Sequence, residues 1–132
     1  MTRFRFESCG ATVLTLEAWF GLAAFDLALV TGFARALERV RRAPVRAQRD
    51  APPPHDVVWA IDEACVWYVK RVPCLQRSAV TACLLRRHGV SADLVIGYRR
   101  IPFESHAWVE VDGRIVNDRT QYQKFFMVIE RF

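Results

Sequence analysis

Three side chains in this sequence could together perform acyl chemistry: Cys74, His106 and Asp118. Cys74 follows Val72-Pro73 and opens a helical pattern. Its thiol therefore stands at a helix N-terminus, where free backbone N–H groups and the helix dipole favour the thiolate. His106 opens the alternating run HAWVEV, and Asp118 closes the run after the next turn. A nucleophile, a base and a group that orients the base are what a thiol acyl-transfer enzyme requires. Each residue alone has a plainer reading: a small buried hydrophobe, a structural histidine, a turn aspartate. Cys9, Cys65 and Cys83 are read that way, as packing residues, and His55 and His88 as linker and helix-end residues. It is the conjunction at the ends of adjoining elements that points to catalysis.

The elements around these residues predict an α+β domain with helices packed on one sheet face. Residues 56–71 read as a helix with Val58, Ile61, Cys65, Tyr68 and Val69 on its apolar face. Residues 74–88 read as a second, stopped by Gly89, with Leu75, Ala79, Ala82 and Leu85 inward and Arg77, Arg86 and Arg87 in water. Strands are expected at residues 92–98, 106–111, 114–118 and 125–129. Hairpin register decides whether His106 can meet Asp118. A two-residue Asp112-Gly113 turn pairs Ala107 with Asp118 and sends His106 to the opposite face. A three-residue loop, Val111-Asp112-Gly113, pairs His106 with Asp118 and Glu110 with Arg114, and is the expected register.

Residues 1–54 are expected to form an N-terminal amphipathic helical segment and a Pro-rich linker, and residues 55–132 the part that carries the chemistry. A helix over residues 14–41 is expected to bury Leu16, Phe20, Ala23, Leu27, Val30, Phe33 and Leu37 against the domain or a partner. Residues 18–30 are the most apolar stretch, but Asp26 interrupts them, which argues against a signal peptide or a membrane span. Arg39, Arg41, Arg42, Arg46 and Arg49 follow, without interleaved aromatics or a helix-turn-helix, so a solvated helix end is favoured over a nucleic-acid footprint.

The 132 residues allow one domain, and 52 % hydrophobic against 25 % charged residues exclude disorder. The net charge of +5 is carried almost wholly by arginine, with Lys70 and Lys124 the only lysines. The four cysteines form no CxxC pair, so reduced thiols in the cytoplasm are expected, with no metal and no cofactor. A metal site from Cys74, Cys83, His88 and His106 is the weakest reading, since the two cysteines lie nine residues apart on one helix.

The stretch PCLQRSAVTACLLRRHGVSADLVIGYRR, followed by HAWVEVDGRIVND, resembles the transglutaminase-like leader peptidases of lasso-peptide biosynthesis. The resemblance covers roughly residues 55–132 and implies a papain-like core with Cys74, His106 and Asp118 as the triad. It implies removal of a leader, after a site with threonine as its penultimate residue, from a ribosomally made lasso precursor peptide. It also implies a separate leader-binding protein, for which this chain has no room, and an ATP-dependent macrolactam synthetase that takes the product. The second oxyanion donor of papain-like enzymes has no glutamine to supply it in residues 55–73, leaving Trp59 and Trp67 as candidates. The same triad would serve a transglutaminase or other acyltransferase, and the sheet alone would serve a non-catalytic peptide-binding protein.

Overall fold

A computed structural model describes residues 3–48 and 51–132, with side chains from residue 12 onward. Cys9 and Arg49 therefore lie outside the residues whose side chains are described. Helices α1 (Arg3–Val30), α2 (Phe33–Arg42), α3 (Pro54–Trp67) and α4 (Cys74–Arg87) precede strands β1 (Asp93–Arg100), β2 (Phe103–Val111) and β3 (Arg114–Ile115). A single-turn helix α5 (Tyr122–Phe125) and strand β4 (Met127–Arg131) close the chain. The strands form one sheet in the order β3-β2-β1-β4, each pair antiparallel. This is the expected α+β arrangement: the helix that begins with Cys74 packs on an antiparallel sheet, with helical structure before it.

The expected single N-terminal helix is two. Gly32 takes φ 120°, outside the helical region, and breaks the chain between α1 and α2. The expected apolar stripe is also displaced. Ala18, Leu22, Phe25 and Ala28 are buried, whereas Leu16, Phe20, Leu27, Val30 and Phe33 are exposed. Residues 18–30 are apolar nearly all round, so periodicity cannot choose a face; contacts with other helices do. A Cβ on Gly21 would lie 2.7 Å from Val80 Cγ1, so α1 meets α4 where small residues permit close approach. Asp26 fixes the rotation from the other side, accepting a hydrogen bond from Tyr68 and pairing with Lys70 Nζ at 3.0 Å. Burial raises the pKa of Asp26, but bonds from Tyr68, Lys70 and Gln76 outweigh it and hold the carboxylate ionised.

By length and composition, Thr12–Val30 of α1 could cross a membrane, with a mean hydropathy of 1.7 over 19 residues. That window is longer than the uncharged run alone. In the fold, α1 shares one hydrophobic core with α2, α3, α4 and the inner face of the sheet.

Helix α3 starts at Pro54, earlier than expected, because proline is tolerated in a first turn whose N–H groups have no helical partners. It also ends earlier: Tyr68 is already extended. Its buried face is Val57, Ala60, Ile61 and Ala64, rotated from the expected one, and Val69 is exposed. Helix α4 ends where expected, with Gly89 at φ 88°. Ala79, Ala82 and Leu85 face the core as expected, but Arg86 does not face water. It is 5 % exposed and donates to the carbonyls of Val40, Ala92 (2.8 Å) and Phe132 (2.7 Å). Its guanidinium thereby ties the end of α2, the start of β1 and the C-terminal residue to α4. Three carbonyls from separate segments converge on the guanidinium, whose several N–H donors can serve them all, and this holds the charge inside.

Val111 pairs with Arg114 and Glu110 with Ile115 across a two-residue turn, in which Asp112 and Gly113 have φ 52° and 76°. The expected three-residue loop is thus overturned, because Asp-Gly meets the positive-φ demand of the tighter turn. Glu110 does not meet Arg114. It bonds Trp108 Nε1 (3.0 Å), Gln123 Nε2 (3.1 Å) and Arg131 Nη1 (2.5 Å). Strand β3 is shorter than expected, and β4 begins later because Tyr122–Phe125 coils first.

Candidate active site

Cys74 is the first residue of α4, after Pro73 in an extended conformation, and it is exposed. The first helical hydrogen bond runs from Arg77 N–H to Pro73 O, so the preceding N–H groups have no partner within the helix. Helix α4 lies on the face of β2 that presents Ala107 and Val109. At Ala107 this strand is an edge, since β3 has already ended. The Ala107 carbonyl accepts the Ser78 hydroxyl at 3.0 Å, and its N–H donates to the Cys74 sulfur.

The structure brings the three predicted residues together. His106 Nε2 lies 2.7 Å from Asp118 Oδ2, which leaves Nδ1 as the nitrogen that can meet the thiol. Hydrogen bonding to His106 draws the Cys74 pKa below its ordinary 9.0, against the opposing effect of burial, and the N–H groups of Ala107 and Leu75 add to the lowering. The same bond, followed by those to Asp118, raises His106 above its ordinary 6.5, again against burial. Both shifts favour a thiolate–imidazolium pair. The other described thiols differ: burial pushes Cys65 and Cys83 upward.

Sequence reasoning missed the surroundings of the imidazole. Tyr122, Trp108 and Phe126 place their rings 4.6, 6.3 and 5.9 Å from that of His106. Trp108 is fully buried with Val95, Ile115 and Phe126 in a second cluster on the sheet face away from α4. A Cβ on Gly97 would stand 2.6 Å from Trp108 Cη2, so only glycine leaves room for that indole. The aromatic positions were visible, but single-turn α5, which delivers Tyr122 to His106, carries no periodicity long enough to read. Trp67 is unsuited to the oxyanion role, because its indole N–H is bonded to Glu63 at 3.2 Å. Trp59 is exposed on α3. His88 is bonded to Glu17 at 2.9 Å, and His55 to Asp56 at 3.1 Å. Among the described residues no cluster of His, Cys, Asp or Glu could hold a metal ion.

Residues 14–131 match the family described as the transglutaminase-like superfamily. The chain belongs to that superfamily. The match includes α2 and most of α1 as well as the helix and sheet that carry Cys74, His106 and Asp118. The chain is also similar to McjB of Escherichia coli, named a microcin J25-processing protein, at 41 % identity over 56 residues. That segment is 42 % of this chain and 27 % of McjB, so the likeness spans about a quarter of the relative's length. No solved structure matches the chain significantly. A helix opening on cysteine and packed on an antiparallel sheet, the arrangement expected for the transglutaminase-like core, is the architecture seen here.

Proposed function

We propose that the chain is a cysteine peptidase that removes the leader from a ribosomally made lasso precursor peptide. The observation that carries this reading is the linked series Cys74, His106 and Asp118 at the exposed start of α4. Membership of the superfamily and similarity to a microcin-processing protein support an action on peptides.

In this mechanism His106 takes the Cys74 proton, and the sulfur attacks the carbonyl carbon of the scissile bond. The new C–S bond leaves negative charge on the oxygen, to which the Cys74 backbone N–H donates at the helix start. The C–N bond then breaks as His106 gives its proton to the leaving amine, the new N-terminus of the core peptide. A water molecule, deprotonated by His106, attacks the thioester; the C–S bond breaks, the leader departs as a carboxylic acid, and the sulfur again shares the proton held by His106. Asp118 holds the imidazole and stabilises its cation. The chemistry needs no cofactor.

The reading includes cytoplasmic action, a separate leader-binding protein and an ATP-dependent macrolactam synthetase that receives the core peptide. An apolar groove of about 750 Å3 between α1, α2 and α4 supports docking of a protein partner. Leu16, Phe20 and Val80 line it together with Arg39 and Arg46, and it includes none of Cys74, His106 and Asp118.

Incubating a lasso precursor with the chain and a leader-binding protein tests the proposal by mass spectrometry. A free leader acid and an intact core are expected. Leader joined to an added amine would point instead to acyl transfer, and normal processing by Cys74→Ala would overturn the peptidase reading.

A further inference from the structure

Asp118 reaches His106 because the chain leaves the sheet at one particular residue. After the two-residue turn, Val116 N–H still donates to Val109 O at 3.0 Å, and Val116 packs against the core on the α4 side. Ile115 faces the other way, into the Trp108 cluster. Unbroken alternation would therefore send Asn117 toward Trp108 and Asp118 toward α4, away from His106. The observed order is the reverse. Asn117 turns to α4, where its Nδ2 donates to Ser78 Oγ at 3.0 Å. Its Oδ1 accepts the Val109 N–H at 2.8 Å, filling the ladder place of a backbone carbonyl. Two successive side chains thus face α4, and the alternation resumes one residue out of step, as across a bulge.

The helix that carries Cys74 also clamps this turn. Ser78 accepts from Asn117 and donates to Ala107 O, so both roles of its hydroxyl are used. Arg77 donates to the Asn117 carbonyl, and its guanidinium lies 3.9 Å from Asp118 Oδ2 and 3.6 Å from Asp62 Oδ1. Ser78 and Asn117 are 1 % and 6 % exposed, so water does not replace these bonds.

We propose that Asn117, clamped by Ser78 and Arg77, is the positioning residue that carries Asp118 to His106, an inference that rests on reading Cys74, His106 and Asp118 as the catalytic group. Helix α4 then holds the nucleophile directly and the carboxylate through the clamp, so one rigid element sets both ends of the series.

The test is the titration of His106 by NMR, in a Cys74→Ser background where the thiolate does not contribute. Asn117→Ala is expected to lower the His106 pKa as far as Asp118→Asn does, and the double variant no further. With Cys74 restored, Asn117→Ala should reduce kcat/KM on the order of 100-fold, mainly in kcat, with its falling pH limb moved to lower pH. A residue that only stabilises the fold would lower the urea midpoint and leave the titration in place. A folded Asn117→Ala chain with the parent titration overturns the proposal. Should Asn117→Ala not fold, Ser78→Ala, which removes one hydroxyl, is judged by the same titration. The titration needs no substrate, so a parent chain that cuts no precursor would count against the peptidase reading and leave the clamp still measured.

Discussion

His106 Nε2 and Asp118 Oδ2 stand 2.7 Å apart, although the ladder between β2 and β3, if continued, would face the two side chains in opposite directions. The contact is made outside the ladder, where Asn117 takes the bonding place of the strand. An aspartate so placed keeps the imidazole in one tautomer and orientation and favours its cation. Asp118→Asn should therefore lower the turnover of precursor on the order of 1000-fold while leaving the urea midpoint nearly unchanged. A tenfold effect or less would remove Asp118 from the mechanism.

Cys74 should be the thiol that reacts first. Its bond with His106 lowers its pKa, whereas burial raises those of Cys65 and Cys83. Iodoacetamide near neutral pH should label Cys74 well before the other two, as read by peptide mass spectrometry. Equal, slow labelling of the three would contradict the arrangement.

The pH dependence follows from the signs of the two shifts. Thiolate forms as pH rises through the lowered Cys74 pKa, and imidazolium is lost as pH rises through the raised His106 pKa. A plot of kcat/KM against pH should be a bell, its rising limb below 9.0 and its falling limb above 6.5. A single rising limb at the ordinary thiol pKa would mean that no such pair forms.

Arg86→Met should destabilise the fold by about 3 kcal/mol, since three carbonyls would lose a charged donor in a buried setting. Urea unfolding measures this. A change under 0.5 kcal/mol, about the effect of an ordinary surface substitution, would mean that water and the backbone N–H groups of Ala43 and Leu94 suffice for those carbonyls.

Gly97→Ala places a methyl group against Trp108, whose ring neighbours that of His106. Overpacking of this kind costs about 1–3 kcal/mol. The indole must shift, so kcat should fall along with the urea midpoint. Retention of both would show that the β1–β4 side of the sheet yields instead.

Much was legible from local rules. Pro73 before Cys74 marks a helix start, Gly89 its end, and the runs after it alternate as strands do; all three are decided within a few residues. The choice of Cys74, His106 and Asp118 needed only their types and their positions at the ends of elements. The face of α1 was not legible, because residues 18–30 are apolar on every side and the outcome rests on Gly21 meeting Val80 and Asp26 meeting Tyr68 and Lys70. Arg86 was misplaced for a related reason: nothing in its own helix reveals the carbonyls of Val40, Ala92 and Phe132 that receive it.

The hairpin separates the two kinds of information most clearly. Asp112-Gly113 is a local signal, and the tight turn that it favours is the one that forms. The meeting of His106 with Asp118 was expected for a different register, and it occurs because Asn117 leaves the strand to bond Ser78 and Val109. By itself the sequence determined which residues are fit for thiol chemistry and which elements they end, since both follow from chemical type and short-range backbone preference. Only the tertiary structure decided that these residues touch. Their contact depends on hydrogen bonds and packing between segments about forty residues apart, such as Ser78 and Asn117, and such partners are chosen by the assembled core rather than by neighbours along the chain.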